Sequence, residues 1–106
     1  MKVLVTAASK HGSTTEIASA IARVLRTADI EVDVIAPEAV SSLAGYDAVV
    51  VGSAVYAGHW LGPAKAFVLR YQVELADLPV FLFSSGPIGF LWMRPSFLTK
   101  IVGTSV

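Results

Sequence analysis

Three short apolar runs alternate with helix-like segments, and this alternation most strongly constrains the fold. The runs are Val3–Thr6, Ala48–Val51 and Pro79–Ser84, and none of them alternates polar with apolar residues. Such runs are typical of strands that are buried on both faces of a parallel sheet. A fourth run, Glu31–Ile35, alternates acidic with apolar residues, which predicts a half-exposed strand at a sheet edge.

The segment after the first strand has the pattern of an amphipathic helix. Apolar residues recur at helical spacing from Ser13 to Arg26 and just beyond, which predicts a helix with one buried face. Ser13 and Glu16 form the S-x-x-E pattern of a capping box. The predicted apolar face comprises Ile17, Ile21, Val24, Leu25 and Ala28.

Two further helical segments complete the alternation. A short one within residues 37–47 carries Val40 and Leu43, and a longer one begins near Pro63, a residue suited to a first helical turn. The apolar face of the longer helix comprises Phe67, Val68, Tyr71 and Leu75. The order β-α-β-α-β-α-β predicts an α/β fold with a doubly wound parallel sheet in the order 2-1-3-4.

The C-terminal end departs from this pattern. The chain has 106 residues, enough for one domain, and the segment after Gly89 is too short for a fifth strand and a closing helix. We expect residues 89–106 to be atypical, with Phe90–Leu98 forming a helical turn and a loop and Lys100–Thr104 a stub of the fifth strand. The fourth strand would then have an uncovered edge, which predicts a homodimer formed through that edge.

Charge and residue content exclude several classes of function. Eight basic and eight acidic residues give no net charge, which argues against nucleic acid as a partner. Cysteine is absent, and the two histidines lack ligand-like spacing, so no metal site is expected. No apolar run is long enough for a transmembrane segment or a signal peptide. We expect a cytoplasmic location, with which a peripheral membrane contact remains compatible.

Three loops are expected to share the carboxyl edge of the sheet, where open α/β sheets bind their ligands. They are Ala8–Thr14, Ser53–Trp60 and Ser84–Gly89. The first loop enters a helix N-terminus, where unpaired N–H groups and the helix dipole favour an anion such as phosphate. Its hydroxyl residues add neutral donors and Lys10 adds a charge. The alternative is that Ser13 merely caps the helix.

The other two loops are suited to a flat ligand. Glycines allow close approach of the backbone, and an aromatic ring such as Tyr56 can stack on a ligand; alternatively, Tyr56 and Trp60 only cover the sheet edge. The third loop offers backbone donors in a constrained turn. Walker A, G-x-G-x-x-G and G-x-S-x-G patterns are all absent. The strand ends also lack the acidic residues that a phospho-acceptor domain requires.

Three stretches resemble the flavodoxin-like family when taken in order. Residues 3–22, "VLVTAASKHGSTTEIASAIA", resemble its first strand, phosphate loop and first helix. The loop of that family reads roughly S/T-x-T-G-x-T, and here His11 replaces the central hydroxyl residue. Residues 46–60 and 81–89 resemble the third and fourth strands with their flavin-contact loops. The resemblance covers Met1 to about Gly89, and the subgroup it suggests is related to the menaquinone-dependent protoporphyrinogen oxidase.

This resemblance implies that FMN is the cofactor. The phosphate would lie on Ser9–Thr14 and the flavin ring between the second and third loops, with Tyr56 as the first choice for stacking and Trp60 as the second. Backbone groups near Ala57–Gly58 and Ser85–Gly86 would meet the polar edge of the ring. The complete set of expected cofactor-binding residues is Ser9, Lys10, His11, Gly12, Ser13, Thr14, Ala54, Val55, Tyr56, Ala57, Gly58, His59, Trp60, Ser84, Ser85 and Gly86.

Three functions remain open from the sequence. The first is an FMN-dependent oxidoreductase that passes electrons from a reduced substrate, such as a porphyrinogen, to a quinone or another acceptor. The second is a flavodoxin-type electron carrier that docks on redox partners, against which the neutral charge counts mildly. The third is a shortened domain that binds no flavin. No residue stands out as a catalytic acid or base, and His59 is only a weak candidate.

Overall fold

The structure is a computed structural model that describes residues 1–10, 12–56, 59–86 and 89–93, with residues 56, 85, 86 and 89–93 described by their backbone alone. The strands are β1 (Lys2–Ala8), β2 (Glu31–Val34), β3 (Ala48–Tyr56), β4 (His59–Trp60), β5 (Val80–Gly86) and β6 (Gly89–Met93). The helices are α1 (Ser13–Thr27), α2 (Gly62–Arg70) and α3 (Gln72–Ala76), with a 3-10 helix at Pro37–Ala39.

The main sheet has the strand order β2-β1-β3-β5-β6. β1 pairs in parallel with β2 and β3, and β3 pairs in parallel with β5, so the predicted order 2-1-3-4 is confirmed with β5 as the fourth strand. Among the described strands, β2 pairs only with β1, as its alternating sequence predicts for an edge. The short strand β4 lies off this path and pairs antiparallel with β3.

The edge of β5 is covered, contrary to prediction. β6 runs antiparallel to β5, and its pairing extends from Leu82 opposite Met93 to Gly86 opposite Gly89. The apolar segment expected to form a helical turn therefore begins as a strand, because it satisfies the outward backbone groups of β5. The β5 edge expected to form a homodimer is thus occupied by β6 of the same chain. The stub predicted at Lys100–Thr104 lies outside the described residues.

Both faces of the central strands are largely buried, as the uninterrupted apolar runs predict, but Phe81 of β5 is 50% exposed. On one face, Leu4, Val51 and Leu82 belong to a cluster with buried residues of α2 and α3. On the other face, Val5 and Phe83 pack with Ala18 and Ala22 of α1. Successive residues of a strand point to opposite faces, so one strand contributes to both clusters.

The predicted helices are confirmed with three corrections. The long helix predicted after Pro63 is divided at Tyr71 into α2 and α3. In α1 the fully buried positions are Thr14, Ala18 and Ala22, whereas Val24, expected on the apolar face, is 67% exposed. Because an α-helix turns about 100° per residue, Val24 lies about 200° around the helix from Ala22 and faces away from the sheet. The short helix expected within residues 37–47 is only a 3-10 turn, although Val40 and Leu43 are buried as predicted.

The opposite, amino-terminal edge of the sheet is held by a polar network. The Tyr46 hydroxyl donates to Asp33 Oδ2 at 2.7 Å, and the Lys2 backbone N–H donates to Asp47 Oδ2 at 2.8 Å. Burial raises the pKa of Tyr46 to about 12, with further contributions from the hydrogen bond and from the charges of Asp33 and Glu31. The neutral Tyr46 hydroxyl therefore links the loop before β3 to the edge strand β2.

A close approach between β3 and β5 requires glycine at position 52. Gly52 lies directly beside Phe83 in the parallel register, and a Cβ atom added to Gly52 would overlap the Phe83 ring. Phe83 is fully buried, so its ring has little room to move aside.

We expect Gly52→Ala to lower the free energy of unfolding by about 1–3 kcal/mol, because the added methyl group overpacks a closed region of the core. Gly62→Ala is the matched control, since a Cβ atom there meets nothing within 4 Å. Urea denaturation of the two variants measures the difference. Equal stabilities would show that Phe83 can relax away from Gly52.

Candidate functional site

The carboxyl ends of β1, β3 and β5 meet at one edge of the sheet. Ala8 lies beside Ser53, and Ser53 lies beside Ser84 in the parallel register. One residue further along, Ala54 lies beside Ser85. Three chain segments that are far apart in sequence are thus adjacent in the structure, as the predicted topology requires.

The first of these segments turns into α1 through a glycine. Gly12 is the N-cap residue and has a φ of 89°, in the left-handed region that favours glycine. The Gly12 N–H donates to Ser9 Oγ at 2.8 Å, which closes the turn. The predicted capping box of Ser13 and Glu16 is wrong: Ser13 is the first helical residue, and no side chain caps the helix.

Thr14 is the most informative residue of this segment. Its side chain is fully buried, and its Oγ1 atom has no hydrogen-bond partner in the part of the chain that the structure describes. Leaving a buried hydroxyl unpaired costs about 1–3 kcal/mol, so such groups are usually satisfied. Thr14 lies in the first turn of a helix without a side-chain cap, where a bound anion is favoured. Thr6 Oγ1 likewise has no partner among the described residues, but it lies further back on β1, beside Val51.

The remaining predicted residues of this segment differ in their exposure. Ser9 is partly buried, and Lys10, Gly12 and Ser13 are exposed. His11 lies outside the described residues. The Ser9 hydroxyl accepts a hydrogen bond from Gly12 and retains its own proton for donation.

The second segment is a hairpin rather than the predicted loop. β3 continues beyond the predicted Val51 to Tyr56, and β4 folds back on it with Val55 opposite Trp60 and Tyr56 opposite His59. Ala54 and Val55 are partly buried, and His59 is exposed. The predicted residues Ala57 and Gly58, which connect the two strands, lie outside the described residues.

Trp60, the second choice for stacking, is buried in the hydrophobic core. It is only 7% exposed, and its indole Nε1–H donates to Ser84 Oγ at 2.7 Å. Trp60 is therefore assigned to the core, and Tyr56 remains the aromatic residue proposed for stacking. The Ser84 hydroxyl, also expected to bind cofactor, is engaged by the indole.

Ser53, expected only as the first residue of the second loop and without a role of its own, lies within β3. Its hydroxyl is fully buried, accepts the Leu61 backbone N–H at 2.9 Å and donates to the Ala54 carbonyl at 2.8 Å. A lone serine inside an otherwise apolar strand was the available signal, since a buried hydroxyl needs a partner.

The third segment extends β5 to the edge. Ser85 and Gly86, predicted to begin a loop, are the last two residues of β5, and Gly86 lies opposite Gly89 of β6. Their backbone therefore lies beside the end of β3.

In the described ranges there is no cluster of His, Asp and Glu able to hold a metal ion, and no helix has the length and apolar character to cross a membrane.

Comparison with known proteins identifies the family. Residues 4–89 match the family model described as Flavodoxin domain. The chain belongs to the flavodoxin-domain family. The matched range contains all three segments that meet at the carboxyl edge.

Curated relatives are 30% identical to this flavodoxin-domain chain over 86 residues. They include the protein named protoporphyrinogen IX dehydrogenase [quinone] from Escherichia coli strain K12 and its counterpart from strain O157:H7. The alignment covers 79% of this chain and 48% of the relative. The chain thus spans about half the length of the curated relatives it matches.

Solved structures show the same fold. A flavodoxin from the domain Archaea superposes with a TM-score of 0.75 at 24% identity, covering 98% of this chain and 74% of the other. The rubredoxin oxygen:oxidoreductase of Desulfovibrio gigas gives a TM-score of 0.72 at 20% identity, covering 80% of this chain and 23% of the other. Fusobacterium nucleatum flavodoxin bound to flavin mononucleotide gives 0.58 at 14% identity, covering 80% and 52%.

We expect Thr14→Val to raise the free energy of unfolding of the ligand-free protein by about 1 kcal/mol, because it replaces an unpaired buried hydroxyl with an apolar group of the same shape. Thr15→Val, at the next and exposed position, is expected to change it by less than about 0.5 kcal/mol. Chemical denaturation of both variants tests this. Destabilisation by Thr14→Val would mean that Oγ1 already has a partner in the ligand-free protein.

Proposed function

We propose that this flavodoxin-domain protein binds FMN at the carboxyl edge of its sheet, with the phosphate held by Ser9–Thr14. The observation that carries the proposal is the buried Thr14 Oγ1 at the start of α1, for which the described residues offer no hydrogen-bond partner. A phosphate oxygen placed there would accept a hydrogen bond from the Thr14 hydroxyl. The chemistry of this segment therefore fits the group that the family resemblance implies.

The donor set favours a terminal monophosphate. Gly12 turns the backbone in the left-handed conformation, so the first turn of α1 directs its N–H groups outward from the sheet edge. The hydroxyls of Ser9, Ser13 and Thr14 add neutral donors, and Lys10 lies in the same segment. A dinucleotide would require a closer backbone approach and the repeated glycines that this loop lacks.

The flavin ring is proposed to lie beside the ends of β3 and β5. Ala54 is the register neighbour of Ser85, which supports one ligand touching both strand ends. Tyr56, the last residue of β3, is proposed to stack on the ring. Backbone groups near 57–58 and Ser85–Gly86 are proposed to meet its polar edge.

The proposed activity is that of an oxidoreductase. The Escherichia coli relatives are named as a quinone-linked protoporphyrinogen IX dehydrogenase, which supports a porphyrinogen-like reduced substrate and a quinone acceptor. When bound, FMN supplies the electron transfer, while the residues of this chain bind and orient it. The cytoplasm is the proposed location, with the acceptor reached through peripheral membrane contact.

FMN titration of the purified protein tests the cofactor. We expect saturable binding by the wild type and a loss of at least about tenfold in affinity for Thr14→Val, because one buried hydrogen bond to a charged group is removed. Gly12→Val is expected to lose binding as well, since a β-branched residue is strained at a φ of 89°. Thr15→Val serves as the control that retains binding. Absence of FMN binding by the wild type would refute the proposal.

Turnover separates the enzyme from an electron carrier. Anaerobic incubation of the FMN-loaded protein with protoporphyrinogen IX and a soluble menaquinone is expected to form protoporphyrin IX. Reduction of the protein by a flavodoxin reductase, without porphyrinogen oxidation, would instead identify a carrier.

A further inference from the structure

Two neighbouring serines of the sheet hold two consecutive residues that follow the β3–β4 turn. Ser53 of β3 and Ser84 of β5 are register partners, and both side chains are buried. Ser84 Oγ accepts the indole N–H of Trp60 at 2.7 Å, and Ser53 Oγ accepts the backbone N–H of Leu61 at 2.9 Å. We call these two hydrogen bonds the serine clamp.

The serine clamp connects two strand ends that the apolar core alone would position less strictly. Trp60 follows the β3–β4 connection closely, and Ser84 lies two residues before the end of β5. Their hydrogen bond therefore joins residues 24 apart in sequence. Apolar packing of the indole is tolerant of small shifts, whereas a buried hydrogen bond restricts both distance and direction.

The clamp acts on the elements proposed to contact the flavin ring. Tyr56 pairs with His59, the residue preceding Trp60, so the position of β4 fixes the backbone direction at the end of β3. Ser85, which follows Ser84, is the register neighbour of Ala54. A shift of Trp60 relative to Ser84 would therefore change the separation of these two strand ends.

We infer that Ser84 and Trp60 are positioning residues, which set the spacing of the β3 and β5 ends and thereby the affinity for FMN without touching it. This inference rests on the proposed function for its ligand, and it gives Ser84 a role other than the direct cofactor contact expected from sequence. Ser53 supports the same spacing of the strand ends, because its hydroxyl accepts the backbone N–H of Leu61, the residue after Trp60.

A double-mutant cycle with Trp60→Phe and Ser84→Ala tests this inference. We expect each single variant to raise the FMN dissociation constant about tenfold and the double variant to raise it by no more than either single one, because both changes remove the same hydrogen bond. Tyr71→Phe is the matched control. It removes another buried hydrogen bond of the same apolar cluster, from the Tyr71 hydroxyl to the Val40 carbonyl at 2.9 Å.

The control separates positioning from general destabilisation. Tyr71→Phe is expected to lower the free energy of unfolding to a similar extent as Ser84→Ala, while its FMN dissociation constant stays within about twofold of the wild type. Equal loss of FMN affinity in Tyr71→Phe would overturn the inference. Additive losses in the Trp60→Phe/Ser84→Ala double variant would overturn it as well.

Amide hydrogen exchange without ligand makes the two proposals independently testable. We expect the Leu61 and Ser85 amides to exchange faster in Trp60→Phe and Ser84→Ala, but not in Tyr71→Phe. If exchange changes in this way but the wild type binds no FMN, the positioning role of the serine clamp is supported and only the proposed cofactor is refuted. If exchange is unchanged and both variants bind FMN normally, only the positioning role of the serine clamp is refuted.

Discussion

The parallel pairing of β1, β3 and β5 is the constraint on which the rest of the molecule depends. Hydrogen bonds between parallel strands bring all three carboxyl ends to the same edge, so each connection to the next element leaves from that edge. Both faces must then be covered, which α1 does on one side and α2 with α3 on the other. The close contact of Gly52 with Phe83 shows how tightly this central part is packed.

The buried hydroxyl groups of the sheet and of α1 differ in whether they have a hydrogen-bond partner. Ser53 and Ser84 lie inside apolar strands, and each has a hydrogen-bond partner within the chain. Thr14 is equally buried, yet no partner is found for it among the described residues. A satisfied hydroxyl contributes to holding the fold in one geometry, whereas an unsatisfied one at a helix N-terminus is a place where a ligand can supply the missing acceptor.

Family membership and activity have different support in this protein. The flavodoxin-domain match extends over residues 4–89, and solved flavodoxins share the arrangement of the sheet. The curated relatives are about twice as long as the matched region, so their named reaction enters here as a proposal. At the position after the fourth strand, this chain has an antiparallel strand, β6, that covers the β5 edge from Leu82 to Gly86.

Local sequence alone determined the four parallel strands β1, β2, β3 and β5, the main helices and their order, because apolar periodicity reflects burial directly. It did not predict the antiparallel strands β4 and β6. It also identified Ser9–Thr14 as a candidate anion site, since hydroxyl residues before a helical pattern are a local signal. It predicted the wrong cap for α1, because the left-handed conformation at Gly12 and the burial of Thr14 both depend on how the helix meets the sheet.

Only the tertiary structure decided the roles of Trp60, Ser53 and Ser84. From sequence, an indole beside glycines is equally compatible with stacking on a ligand and with filling a core. Its partner Ser84 lies on another strand, and their contact arises only when β3 and β5 pair in parallel register. The hairpin of β5 and β6 is undetermined for the same reason, because strand pairing depends on which edge remains open after folding.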